Sequence, residues 1–206
     1  MKIILVWSAA VLICAFSAKG LAQAEDQYYN DRYCTTCHGV DGIGNEGVSA
    51  PRLAGMEPWY LQRQLESFRA GTRGTHKMDV QGSEMQPMAA KLSDDSIADI
   101  VAWVGSWEYK PAQITVKGDA EAGKSLYATC AACHGTQGEG NEAFAAPALA
   151  GQSDWYLKTQ LENFKAGYRG RDPRDSFGSQ MVAMASMLKD EAAIKNIVSY
   201  INTLGR

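Results

Sequence analysis

Hydrophobic positions fall into the same order of stripes twice along this chain. Trp59, Leu61, Leu65 and Phe68 recur at helical spacing, as do Ile97, Ile100, Val101 and Val104. The last stripe returns as Ile194, Ile197, Val198 and Ile201. The first stripe predicts a helix from Pro58, with proline at the first helical position, to about Arg69, ended by Gly71. The second predicts a helix capped by Ser93, with Asp94 and Asp95 in its first turn. In the second half, Ser153 and Asp190 are the expected caps of the corresponding helices. Asp26 to His38 reads as a further helix, Gly39 to Ala54 as a glycine-rich loop and Thr72 to Gln86 as a second loop. No stretch alternates as a strand would, so the expected fold is all-α.

The halves align without a gap at an offset of 96 from Cys34 through Asp95, with one residue inserted near Ala193. Between Cys34 and Gly74, 24 of 41 positions are identical to their counterparts. The shared pattern runs C-x-x-C-H-G, G-x-G-N-E, A-P-x-L-A-G, then W-Y-L-x-x-Q-L-E-x-F-x-A-G-x-R-G. Two copies are too few for a solenoid and indicate a duplicated domain. The expected organisation is a leader over 1–24, one domain over 25–108, a linker over 109–117 and a second domain over 118–206.

Each domain opens on Cys34-x-x-Cys37-His38 or Cys130-x-x-Cys133-His134. C-x-x-C-H is the attachment signature of a c-type haem. Two thiols one helical turn apart can add to two vinyl groups on one porphyrin edge, and the adjacent histidine then stands under the iron. A lone C-x-x-C could instead be a redox dithiol or half a zinc site. The motif's duplication, with its surroundings, favours two covalent haem c groups, with Cys34, Cys37, Cys130 and Cys133 as thioether residues and His38 and His134 as proximal ligands.

An electron carrier also fills the opposite axial position. His76, the only histidine outside the motifs, faces Asp172 in the repeat and reads as a surface residue. Methionine is preserved instead: Met85 pairs with Met181, and Met88 with Met184. A thioether favours ferrous iron. Met85 and Met181 are the expected iron ligands, leaving Met88 and Met184 to packing.

Residues 1–24 have the form of a secretory leader: Lys2, an apolar run from Ile3 to Phe16, and Ala22-Gln23-Ala24 as a cleavage site. The fifth cysteine, Cys14, lies within it. The apolar run is short for a membrane span, although an uncleaved anchor is the competing reading. Export to a periplasm suits haem attachment outside the cytoplasm. Without the leader, 18 basic and 23 acidic side chains remain, and this acidity argues against nucleic acid as a partner. The charge is uneven. Residues 25–108 carry 7 basic and 13 acidic side chains, net −6, whereas 109–206 carry 11 and 10, net +1. The expectation is a dipolar molecule whose ends dock different partners and whose C-terminal haem has the higher potential.

These motifs, together with M-x-x-M-A before the final helix, resemble the dihaem cytochromes c of the c-four type over nearly the whole chain without its leader. The resemblance implies two class I cytochrome c domains about a pseudo-twofold axis, with His/Met ligation and with Met85 and Met181 at the family's ligand positions. It further implies that the carbonyls of Pro51 and Pro147 accept a hydrogen bond from the proximal histidines. Arg73 and Arg169, or Trp59 and Trp155, are candidates for the haem propionates, with core packing the alternative for the tryptophans. The expected function is transfer of single electrons from a quinol–cytochrome c reductase to a haem–copper terminal oxidase. The alternatives are the cytochrome subunit of a flavocytochrome or other periplasmic dehydrogenase, whose flavin a partner would carry, and a dihaem peroxidase, for which the chain is short. Association with the membrane through partners stays open.

Overall fold

A computed structural model describes residues 33–205; the leader and the first part of the helix expected from Asp26 lie outside them. Eight α-helices are found among these residues: α1 (33–38), α2 (Pro58–Arg69), α3 (Val80–Ala89), α4 (Asp94–Gly105), α5 (Ala120–His134), α6 (Asp154–Ala166), α7 (Ser176–Ser186) and α8 (Glu191–Ile201). The described residues contain no strand, only single bridges that pair Asn45 with Ala50 and Asn141 with Ala146. The fold is all-α, with α1–α4 repeated as α5–α8.

The stripes find their places. Leu61, Leu65, Ile97, Ile100 and Val104 form one buried cluster between α2 and α4. Ile194, Ile197, Val198 and Ile201 of α8 join Tyr127, Leu157 and Leu188 in the other. Each buried aliphatic side chain contributes about 1.5–3 kcal/mol. In the second half α5 lies close against α8, where a Cβ on Gly123 would collide with the Asn196 carbonyl.

Three expectations need correction. First, the segment Thr72 to Gln86 is not all loop, because α3 and its counterpart α7 occupy the end of each such segment. Asp79 and Asp175 start them by accepting from the Gly82 and Gly178 amides at 3.2 and 2.8 Å. Second, Ser153 holds the N-cap position of α6 but its side chain makes no cap bond. The acidic group there is Asp154, fully buried, which accepts from the amides of Thr115, Val116 and Trp155, the Thr115 hydroxyl and Asn202 Nδ2. Third, the inserted residue precedes α8. Ser93 and Asp190 cap α4 and α8 from an offset of 97, while Leu92 and Leu188 still differ by 96, which places the extra residue at Lys189.

Residues 107–119 carry no regular structure. They are nevertheless tied at both ends: Lys110 pairs with Asp41 at 2.7 Å, Tyr109 lies under the Arg52 guanidinium, and Thr115 and Val116 donate to Asp154.

Candidate haem sites and the clasp between them

The two C-x-x-C-H segments end helices α1 and α5, so the thiols sit one turn apart and the histidine closes the helix. None of the four thiols is in a disulfide. Among the described residues no group of three or more His, Cys, Asp and Glu could hold a metal ion, so the zinc reading finds no further ligands. Burial pushes the Cys34 thiol up to about 11 and raises Cys130 as well.

Both histidines are buried, and their rings are held the same way. His38 Nδ1 lies 2.7 Å from the Pro51 carbonyl oxygen, and His134 Nδ1 lies 2.7 Å from that of Pro147. A carbonyl only accepts, so Nδ1 bears the proton and Nε2 keeps its lone pair, the arrangement an iron ligand requires. Burial holds both imidazoles below their ordinary value, against the opposing effect of the proline carbonyls, and so favours the neutral, metal-binding form.

In the second half the expected groups converge. Cys130, Cys133, His134, Pro147 and Met181 line one cavity, whose walls include Leu157, Leu161 and Phe164. Met184 lines it too, so proximity alone does not choose between the two methionines. Met181 packs against the cluster of Phe164, Val182 and Ala185. In the first half Met85 packs against the α2–α4 cluster, while Met88 is 37% exposed. His76 is exposed and stacks on Tyr168 of the other half at 4.9 Å.

The surprise lies between the halves. Arg73 Nη1 donates to Gln64 of its own half at 2.6 Å, and Nη2 to Tyr156 Oη and Gln160 Oε1 of the other at 3.1 and 3.2 Å. Arg169 repeats this with Gln160 at 2.6 Å and with Tyr60 and Gln64 at 3.2 and 2.9 Å. Each guanidinium also lies over its own half's phenylalanine, Phe68 or Phe164. This is an isologous contact made within one chain. Gly74 and Gly170, at φ 79° and 80°, carry the chain past it; there a Cβ would strike the carbonyl of Gly82 or Gly178. Both arginines line the cavity, and the Nε of each is buried without a partner. Two orphaned cationic donors beside the haem-binding thiols fit an anionic group such as a propionate. Trp59 and Trp155 do not line this cavity and instead make edge contacts with Tyr60 and Tyr156. Paired thiols and proline-held histidines in both halves, with the apolar wall and arginines of the second, fit two covalent haem c groups.

Sequence reasoning missed Arg63, which also lines the cavity, and the clasp formed by Tyr60, Gln64 and Arg73 with their counterparts. The signal was present for the clasp: polar identity in both copies of one helix, beyond what a cofactor alone needs.

The family described as Cytochrome c matches residues 24–108 and 120–205. A thiosulfate dehydrogenase electron acceptor of Stutzerimonas stutzeri (strain A1501) is 35% identical over 187 residues, 84% of this chain and 79% of that protein. Cytochrome c4 of Azotobacter vinelandii is 33% identical over 180 residues, 80% and 82% of the two chains. The crystal structure of reduced recombinant cytochrome c4 from Pseudomonas stutzeri superposes with a TM-score of 0.67 at 29% identity, covering 89% of this chain and 98% of that one. The chain belongs to the cytochrome c family, as a tandem dihaem electron-transfer protein of the c4 type.

Proposed function

We propose that this protein is a periplasmic carrier that takes single electrons from a quinol–cytochrome c reductase and passes them to a haem–copper oxidase. The observation that carries this reading is the doubled histidine–proline contact, 2.7 Å in each half, with Met181 lining the cavity that His134 lines. Bound haem c supplies the one-electron iron couple. The chain's own residues do the rest. Pro51 and Pro147 fix the ring and tautomer of His38 and His134. Met85 and Met181 would supply thioether sulfurs to the haem iron and so exclude small ligands. The Arg73–Arg169 clasp keeps the two sites in one rigid arrangement, so that little reorganises when charge moves. Cleavage after Ala24 would release the carrier; among the described residues no helix is long and apolar enough to cross a membrane.

A second donor is favoured by one observation, the 35% identity to a protein named as the electron acceptor of a thiosulfate dehydrogenase. In that reading a thiosulfate dehydrogenase delivers the electrons.

The test has two stages. Ferric holoprotein should show the near-infrared methionine-to-iron band and fail to bind carbon monoxide when reduced. Met181→Ala should lose about half the band and bind one carbon monoxide per molecule, whereas Met184→Ala should do neither; the reverse pattern would make Met184 the ligand. Rapid-mixing reduction then decides the donor. Fast reduction by the reductase with quinol supports the main reading, and fast reduction only by the dehydrogenase with thiosulfate supports the second.

A further inference from the structure

The repeat sets Arg63 on α2 against Thr159 on α6. The two side chains go different ways. Thr159 turns back on its own helix and donates to the Trp155 carbonyl at 2.9 Å. Arg63 crosses to the other half and donates to the Ala145 carbonyl at 2.7 Å. Its guanidinium is steadied by Phe177 of that half, 4.8 Å from the ring centroid, and by Trp59 and Tyr60 at 5.0 and 5.3 Å. Ala145 stands two residues before Pro147, the residue that holds His134. Arg63 therefore lines the cavity of Cys130, Cys133, His134 and Met181, although it belongs to the N-terminal half.

The other charges in that cavity are matched between the halves. Arg73 is answered by Arg169, and Asp175 has its counterpart in Asp79, which caps the other methionine-bearing helix in the same way. Arg63 is the unmatched one in this cavity, as Arg52, whose counterpart is Ala148, is in the other half. The position related to Arg63 by the repeat holds a neutral hydroxyl already bonded within its own helix.

We propose that Arg63 is a positioning residue supplied by one domain to the other, raising the reduction potential of the C-terminal haem. A fixed cation in a partly buried site favours the less positive, reduced state of the group bound there, and the low local dielectric strengthens the effect. This inference depends on the reading of two His/Met haems.

The test is a spectroscopic redox titration of the holoprotein, with the C-terminal haem marked by a Met181→His variant whose signal titrates apart. Arg63→Thr should lower the C-terminal potential and leave the N-terminal one in place. A tenfold shift of the shared electron toward the N-terminal haem corresponds to about 59 mV for a one-electron couple. Arg63→Lys, which keeps the charge, should retain most of the original separation. The proposal is overturned if neither potential moves, if both fall equally, or if Arg63→Lys falls as far as Arg63→Thr. An unchanged near-infrared band in Arg63→Thr shows intact ligation. A band absent from the unmodified protein overturns the His/Met reading, and this inference with it.

Discussion

The second helix of each half is built from the same W-Y-L-x-x-Q-L-E-x-F sequence, yet the two helices begin differently. In the N-terminal half α2 starts on Pro58, whose missing amide leaves nothing to satisfy at that position and needs no side-chain cap. In the C-terminal half the same position is Asp154, a buried carboxylate with five donors around it, two of them backbone amides of the interdomain segment. One copy thus starts its helix alone, and the other uses the helix start to anchor the connecting chain. The difference shows what duplication holds fixed. The clasp positions Tyr60, Gln64 and Arg73, which meet the opposite half, keep their identity in the other copy. Positions that face the connecting chain, which exists only once, are free to take different roles.

Asp154 is where that contrast can be broken most sharply. Asp154→Ala should destabilise the protein by roughly 3–5 kcal/mol, because buried donors on Thr115, Val116 and Asn202 lose their acceptor together. Pro58→Ala should change little. Calorimetry of the ferric holoprotein would measure both. If the halves unfold separately, Asp154→Ala lowers only the C-terminal transition. If one transition moves as a whole, the clasp makes the two halves a single cooperative unit. Equal, small effects of the two substitutions would refute the asymmetry.

The clasp provides the opposite kind of test, since its two sides are alike. Arg73→Ala and Arg169→Ala should each cost roughly 3 kcal/mol, as each takes the donor from a tyrosine hydroxyl and one of two donors from each glutamine carbonyl. The double variant should cost more than the sum, because Gln64 and Gln160 accept from both arginines and lose their last arginine donor only when both are gone. Unequal single effects would place the weight of the interface on one side. The buried Asp79, which accepts from Asn163 across the interface at 3.0 Å where the other copy has Ser67 in place of Asn163, is the residue to examine in that case.

How legible the molecule was depended on the kind of signal each element carries. Helix α2 was readable to both ends from a proline, an apolar stripe and a terminal glycine. The final helices were equally clear from Ser93 and Asp190. The methionine-bearing helices were not, because Gly82, Ser83 and Pro87 read as breakers and the segment has no consistent apolar face. Those helices are held from outside: Asp79 and Asp175 cap them, and the Arg73 and Arg169 loops press on Gly82 and Gly178. The aspartate three residues before each glycine was the overlooked cap signal. The histidine–proline contact followed from the family resemblance, and spacing alone could not have supplied it. Arg63 was invisible for a different reason. Within one half it is an ordinary charged position on a helix, and its role depends on a partner domain whose placement no local pattern encodes.

The smallest expected effect lies where the repeat pairs His76 with Asp172. His76 stacks on Tyr168 of the other half, whereas Asp172 stays within its own loop and accepts from Arg174 Nη2 at 2.8 Å and from the Arg174 amide at 2.9 Å. The hydrogen bond from the guanidinium, helped by that from the amide, holds the Asp172 carboxyl down at about 2. A carboxyl lowered on folding contributes stability that is fully present above its unfolded value of roughly 3.9 and is lost as pH falls through the folded value. The contribution should therefore fade between about pH 4 and pH 2. It should be slight and should weaken further in salt, because the pair is open to solvent. Carbon-detected titration of the aspartate side chains should find one midpoint near 2, and Arg174→Ala should return it to the ordinary carboxylate range. A normal midpoint in the unmodified protein would remove this pair from the contrast between the halves and leave position 76, with its stacked histidine, as the only one of the two that shapes its surroundings.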